Sequence, residues 1–244
     1  MPRFFTPSDL MEDGIIRIKG DDAFHIARSL RMAEGDTVTV CDMHGVEHTC
    51  RLTRIRDEEC ECEILESKSG ETEPPVHITL YMAYPKGDKL ETVVQKAVEL
   101  GAARIVPFES SRCIKRPKAE KADKNTVRLQ RIAEEAAKQC GRSRLPEVAK
   151  PISFDAMLAE ANKADLPIFC YEGDGTKSLK SILSESKDTC TVSVIVGCEG
   201  GFSLSEAECA VAAGCIPANL GRRILRCETA PTYALTCLSY HFEL

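Results

Sequence analysis

The chain has 244 residues, 43% hydrophobic and 29% charged, with a formal net charge of −6, the balance of an ordinary globular protein with one large domain or two smaller ones. No apolar run reaches the roughly 18 residues of a membrane-spanning helix, and the opening "MPRFFTPSDLMEDG" lacks the apolar core of an export signal, so the expected compartment is the cytoplasm, with no membrane partner. The overall charge excludes a uniformly basic nucleic-acid binder, yet residues 86–150 hold 16 basic against 9 acidic side chains, either a localised polyanion footprint or a solvated lysine face.

Thirteen cysteines are odd in number, and the tightest spacing is Cys60 and Cys62. Zinc ribbons and dithiol redox motifs need Cys-x-x-Cys, so no metal is expected and the thiols read as small apolar residues in a reducing compartment.

In chain order, "RFF" sets Arg3 before Phe4 and Phe5, a pairing that suits phosphate contact with base stacking, or a buried aromatic anchor. Ile15 to Ile18, Thr37 to Val40, Val46 to Leu52 and Cys60 to Leu65 read as short strands. The one helix among them carries His25, Arg28 and Arg31 at i, i+3 and i+6, a spacing that predicts one shared side. Short strands with a single helix predict a small β-barrel over residues 1–70. "ESKSGETEPP" (66–75) has no apolar residue and reads as a linker.

From residue 74 strands and helices alternate, which predicts a parallel α/β sheet over 74–244. "VHITLYMA" (76–83), "RIVPF" (104–108), "PIFCY" (167–171), "TVSVIVG" (191–197) and "IPANL" (216–220) read as strands. Helices are predicted over 88–101, 126–141, 204–214 and 230–242, the first with Asp88 and Glu91 as a capping-box variant and Gly101 just past its end. At the end of the second, Gln139, Arg142 and Arg144 suit a polyanion or merely the helix dipole.

Ligands of parallel sheets sit beyond the carboxyl ends of strands. Three loops leave such ends: Tyr171–Glu172–Gly173, "GCEGGFS" (197–203) and "GRRILRCETA" (221–230). The second is neither a phosphate loop nor a dinucleotide fingerprint. Its glycines admit close backbone approach, for a ligand or for a tight turn into the helix capped by Ser203 or Ser205. Glu199 inside it disfavours phosphate and suits a cationic ligand. The third loop joins an apolar pair, Ile224 and Leu225, to Arg226, Glu228 and Thr229, which would serve a ligand or an Arg–Glu cap on the last helix.

Six segments in register, "PRFF", "HIARSLRMAEGD", "PKGDKLETVVQKAVELGA", "RIAEEAAKQCGRSRLPEV", "GCEGGFSLSE" and "LGRRILRCETAPTYAL", resemble the knotted, SPOUT-class methyltransferases that act on N3 of a uridine in small-subunit (16S) ribosomal RNA. The resemblance runs nearly end to end. It implies a PUA-like barrel that holds RNA, a C-terminal parallel-sheet domain tied in a deep trefoil knot, S-adenosylmethionine (SAM) as cofactor, and a homodimer. Its substrate would be the small-subunit rRNA or the assembled small ribosomal subunit. By matching position the cofactor loops would be Tyr171–Glu172, Gly197 to Gly201 (Gly197, Glu199, Gly200 and Gly201) and Leu220 to Ala230, with Leu220, Gly221, Ile224 and Leu225 around the adenine and Arg226, Glu228, Thr229 and Ala230 beyond.

The expected chemistry falls to Arg226, stabilising charge on a uracil oxygen, and to Glu199, as base or orienter. RNA would be gripped by Arg3, Phe5, His25, Arg28 and Arg31 and by Lys86, Arg112 and Arg142. Cys198 stands where the resembled family usually has Pro, and Cys227 where Thr or Ala is commoner; Cys227 beside a cofactor would expose the site to oxidation. Other knotted enzymes modify tRNA bases or ribose 2′-hydroxyls, and an RNA-binding assembly factor could keep the pocket without catalysis.

Overall fold

A computed structural model describes residues 1–114, 119–186 and 188–244. The lysines and arginine at 115, 116 and 118, part of the basic block, lie outside the described residues. The chain divides into two compact units, residues 1–73 with 137–145, and residues 74–136 with 146–244.

The first unit is a six-stranded sheet. Its strands are β1 (Arg3–Phe5), β2 (Met11–Glu12), β3 (Ile15–Lys19), β4 (Thr37–Cys41), β5 (Val46–Ile55) and β6 (Glu59–Ser69), in the order β1-β4-β5-β6-β3-β2. Pairing is antiparallel except between β1 and β4. Alternation writes the two faces: on β6, Cys60 and Cys62 are buried and Glu63 is exposed. The core is Phe4, Ile16, Ile18, Ile26, Val38, Val40, Leu52 and three thiols, Cys50, Cys60 and Cys62. Among the described residues no cysteine forms a disulfide, and nine of the thirteen are buried, as small apolar residues would be.

Two expectations fail here. The stretch 66–75 is not all linker, because β6 runs on to Ser69, paired with Val46. Nor do His25, Arg28 and Arg31 share a helix side. The helix α1 (Asp21–Phe24) passes into a wider π-turn over His25–Ser29, and Arg31 takes the left-handed conformation at φ 50°, which turns the chain off the helix axis.

The second unit is an all-parallel sheet. Its strands are β7 (His77–Ala83), β8 (Arg104–Glu109), β9 (Glu147–Val148), β10 (Ile152–Ser153), β11 (Leu166–Cys170), β12 (Lys177–Ser178), β13 (Thr191–Val196) and β14 (Ile216–Asn219). The order is β10-β8-β7-β13-β11-β14-β12, with β9 beside β8. The middle strands are near-continuous β-branched and aliphatic runs, buried on both faces, as parallel strands covered by helices must be. The helices are α2 (Lys89–Glu99), α3 (Ala119–Cys140), α4 (Phe154–Ala161), α5 (Leu179–Ser184), α6 (Leu204–Ala212) and α7 (Thr229–Phe242). Helix α2 buries the predicted stripe of Leu90, Val93, Val94, Ala97 and Val98, and Gly101 follows it at φ 87°. Asp88 precedes α2 but its side chain caps nothing. Helix α3 begins seven residues earlier than the pattern suggests, and its last turn, from Ala137, belongs to the first unit. Among the described residues no helix is long and apolar enough to cross a membrane.

Candidate functional site

Strands β13, β11 and β14 are neighbours, so the loops leaving their carboxyl ends meet. Together they line a cleft of about 530 Å³, within the range of small-molecule sites, roughly 300–1,000 Å³. The β11 loop contributes Tyr171 and Glu172. The β13 loop contributes Gly197, Cys198, Glu199, Gly201 and Phe202. The β14 loop contributes Asn219 through Cys227, and Ala230 from α7.

Each loop is shaped locally. Phe202 is buried and packs on Phe169 with centroids 4.4 Å apart, which pins the end of the glycine loop to β11. Ser203 then caps α6 in a full capping box with Glu206, and the second oxygen of Glu206 accepts from the Ser111 N–H at 2.6 Å. Burial pushes the Glu206 carboxyl up, but the N–H groups of Ser111 and Ser203 hold it below the usual carboxylate range. Gly201 lies at φ 60°, a conformation that favours glycine, and a Cβ there would stand 2.7 Å from a carboxylate oxygen of Glu172, a flexible side-chain tip that would have to swing aside.

The charged part of the site centres on Lys89, the first residue of α2. Its Nζ lies 3.1 Å from Glu199 Oε1 and 3.2 Å from Glu228 Oε2. Glu199 also accepts from the Lys86 N–H at 3.0 and 3.2 Å. Burial pushes the Glu199 carboxyl up; hydrogen bonds from its own N–H, from Lys89 and from the Lys86 N–H more than offset this and hold it low. Glu228 is held low by its own N–H, the Cys227 thiol and Lys89, against partial burial. Burial first, then the hydrogen bond to Glu228, pushes the Cys227 thiol up to about 12. A thiol held protonated is a weaker nucleophile than a thiolate.

The predicted cofactor residues Tyr171, Glu172, Gly197, Glu199, Gly201, Leu220, Gly221, Ile224, Leu225, Arg226 and Ala230 all line the cleft. Gly200, Glu228 and Thr229 do not. Gly200 lends its carbonyl to Arg112 at 2.8 Å, Glu228 faces Lys89, and Thr229 opens α7. Sequence reasoning missed Lys89, whose two partners stand on loops more than 100 residues further along the chain and leave no local mark around it. Arg222 and Arg223, within the expected loop Leu220 to Ala230 but given no role of their own, also line the cleft. These two and Arg226 are exposed and make no side-chain hydrogen bond or ion pair among the described residues.

The expected RNA contacts divide. In the first unit Arg3 is committed to Glu47 at 2.8 Å and to the Arg142 carbonyl at 3.1 Å. Phe5 is buried. Arg142 is 3% exposed and grips Glu73 with Nη2–Oε2 at 2.5 Å. These three serve the architecture of the unit, because their polar groups are satisfied inside it or their surface is covered. His25, Arg28 and Arg31 are exposed, with Arg28 held by Asp57. In the second unit Lys86 and Arg112 are exposed beside the glycine loop.

The donor set of the cleft suits SAM. Leu220, Ile224 and Leu225 offer apolar surface for a flat ring, the loops offer backbone N–H and C=O groups, and ionised carboxylates suit a ligand bearing positive charge. Among the described residues no group of three His, Cys, Asp or Glu could hold a metal ion.

Residues 72–239 match the RNA methyltransferase domain family, and residues 18–65 match the PUA domain of RNA methyltransferases. The ribosomal RNA small subunit methyltransferase E of Bacillus subtilis is 33% identical over 251 residues, spanning 100% of this chain and 98% of the relative. The protein of the same name from Synechocystis is 34% identical over 220 residues, spanning 90% and 71%. Among solved structures, that of the Neisseria gonorrhoeae ribosomal RNA small subunit methyltransferase E bound to SAM superposes with a TM-score of 0.85, at 31% identity over 98% of this chain and 97% of that one. A Legionella pneumophila protein solved with SAM gives 0.87, at 30% identity over 98% and 96%.

Proposed function

The chain belongs to the family of SAM-dependent small-subunit ribosomal RNA methyltransferases, and from that premise we propose that its target atom is N3 of a uridine. What carries the proposal is the cleft itself: the Glu199 carboxylate faces the same space as Arg226, which makes no side-chain hydrogen bond or ion pair among the described residues and stands on the wall that also holds Ile224 and Leu225. SAM, when bound, supplies the methyl group from its sulfonium. Leu220, Ile224 and Leu225 would hold its ring, and the backbone of residues 197–201 and 220–225 would orient it.

Uracil N3 carries a proton and is a poor nucleophile until that proton is lost. Arg226 stabilises the negative charge that then spreads onto the uracil oxygens. Glu199, on the same cleft, acts as base or orienter: the N3 proton passes to its carboxylate or to solvent, and the methyl group takes the proton's place. Much of the remaining acceleration is positioning of the two reactants. RNA is gripped by His25, Arg28 and Arg31 in the first unit and by Lys86 and Arg112 in the second.

The same premise supports three further proposals. The loops after β11, β13 and β14 form a deep trefoil knot, an arrangement compatible with the strand order β13-β11-β14. The protein works as a homodimer, to which the exposed Tyr233 and Tyr240 of α7 would offer surface. It acts in the cytoplasm.

The test is methyl transfer from labelled SAM to small ribosomal subunits and to naked rRNA from cells lacking this gene, with nucleoside analysis. Label in N3-methyluridine is the expected result, and the better substrate identifies the form recognised. Label in a ribose hydroxyl, or none, rejects the N3 target.

A further inference from the structure

Lys89 stands on α2, yet both its ionic partners stand elsewhere. Glu199 is on the loop after β13 and Glu228 on the loop after β14, two loops that both line the cleft. Among the described residues neither carboxylate has another ion-pair partner. One ammonium therefore serves two anions, with the Cys227 thiol 3.7 Å from the same nitrogen and donating to Glu228 at 3.2 Å. Two carboxylates that share one cation are close neighbours, and without it they repel.

We propose that Lys89 is a positioning residue for SAM. It ties the β13 and β14 loops together through Glu199 and Glu228, sets the spacing of the cleft walls, and leaves the Lys89–Glu199–Glu228 cluster with one net negative charge toward a cationic ligand. This rests on the reading of the cleft as the SAM site. Lys89 is not offered as a proton-transfer group, since its hydrogen bonds to Glu199 and Glu228 keep it firmly protonated.

A charge tie makes a prediction that a simple packing role does not. Removing the cation leaves two repelling anions, and removing one anion as well restores balance. Titration calorimetry would compare SAM binding by the native chain, Lys89→Met, Lys89→Arg, Glu228→Gln and the double variant Lys89→Met/Glu228→Gln. We expect Lys89→Met to weaken SAM by at least about tenfold, Lys89→Arg to keep most of the affinity, and the double variant to recover to within about threefold of Glu228→Gln alone, a non-additive rescue. Hydrogen–deuterium exchange without SAM reads the tie directly. Amides of 197–203 and 224–230 should exchange faster in Lys89→Met and slow again in the double variant.

Unchanged exchange and affinity in Lys89→Met, or losses that simply add in the double variant, would overturn the tie. A native chain that fails to bind SAM would bring down the cofactor reading, while the exchange experiment would still decide whether Lys89 joins the loops.

Discussion

Two segments of this chain follow a glycine with clustered arginines, "GRSR" at 141–144 and "GRRILR" at 221–226, and the fold uses them in opposite ways. Arg142 is buried, and Glu73 accepts from its guanidinium and from the N–H groups of Ser143 and Arg144, both at 3.0 Å. Arg222, Arg223 and Arg226 are exposed on the wall of a cleft with no acidic side chain spent on them among the described residues. The difference lies in the supply of carboxylates. Glu73 is folded against the first segment, whereas near the second Glu199 and Glu228 are claimed by Lys89 and Glu172 makes no ion pair among the described residues. An arginine is available to a ligand only when no local anion is folded against it.

The largest expected effect tests the buried half of that contrast. Arg142→Ala leaves Glu73 ionised and without its counter-charge, a loss of about 3–5 kcal/mol for a broken buried pair, read by urea unfolding. Burial pushes the Glu73 carboxyl up, but Arg142 and the N–H groups of Ser143 and Arg144 hold it below the usual range. A carboxylate whose folded value is depressed contributes stability above its unfolded value, and that contribution is lost as pH falls through the folded one. The gap between the native chain and Arg142→Ala should therefore be full at neutral pH and narrow below about pH 4.5. A gap that stays constant into acid would mean that Arg142 acts by packing alone.

The exposed half predicts the reverse separation of stability and activity. Arg226→Ala should leave unfolding and SAM binding near native while slowing single-turnover methyl transfer by about 100-fold, the scale of losing one charge-stabilising donor. An unchanged rate would remove Arg226 from the chemistry and dissolve the contrast with Arg142.

Next in size is the glycine loop between them in role. At Gly201 an alanine would have to hold φ near 60° with its Cβ 2.7 Å from Glu172. The conformation alone costs about 1–2 kcal/mol, and Glu172 must swing away. Gly201→Ala should lower the melting temperature modestly and weaken SAM in calorimetry. Gly221→Ala, at φ 105° but facing open space, should show the strain without the collision.

The parallel sheet was legible because its grammar is coarse. "TVSVIV" and "HITLYMA" are continuous β-branched and aliphatic runs, and that pattern survives without any knowledge of neighbours. The three loops could be found because they follow such runs. Lys89 could not, since nothing in "PKGDKLE" separates a lysine aimed at two distant carboxylates from one on a solvated helix face. The partners of Arg3 and Arg142 were hidden for the matching reason: Glu47 and Glu73 lie 44 and 69 residues away. The π-turn at His25–Ser29 and the left-handed Arg31 broke a spacing argument that assumed a regular helix. Charge pairing over long sequence separations is a property of the folded chain, and one-dimensional patterns carry only the local part of it.

Arg28 lies between the two extremes and gives the smallest and finest prediction. It holds Asp57 by two nitrogens, Nε–Oδ1 at 2.9 Å and Nη2–Oδ2 at 2.5 Å, the fork geometry that a phosphate would equally satisfy. Yet both side chains are well exposed, at 63% and 46%, so the pair contributes little to stability and is exchangeable where the Arg142 pair is not. If Arg28 reaches RNA, Asp57 is its competitor. Asp57→Ala should then tighten RNA binding by a few-fold, while Arg28→Ala weakens it and lowers the slope of log affinity against log salt by about one phosphate contact. Filter binding at several salt concentrations reads both. Equal affinity in Asp57→Ala and the native chain would show that Arg28 is spent on its aspartate, and would move it to the side of Arg142.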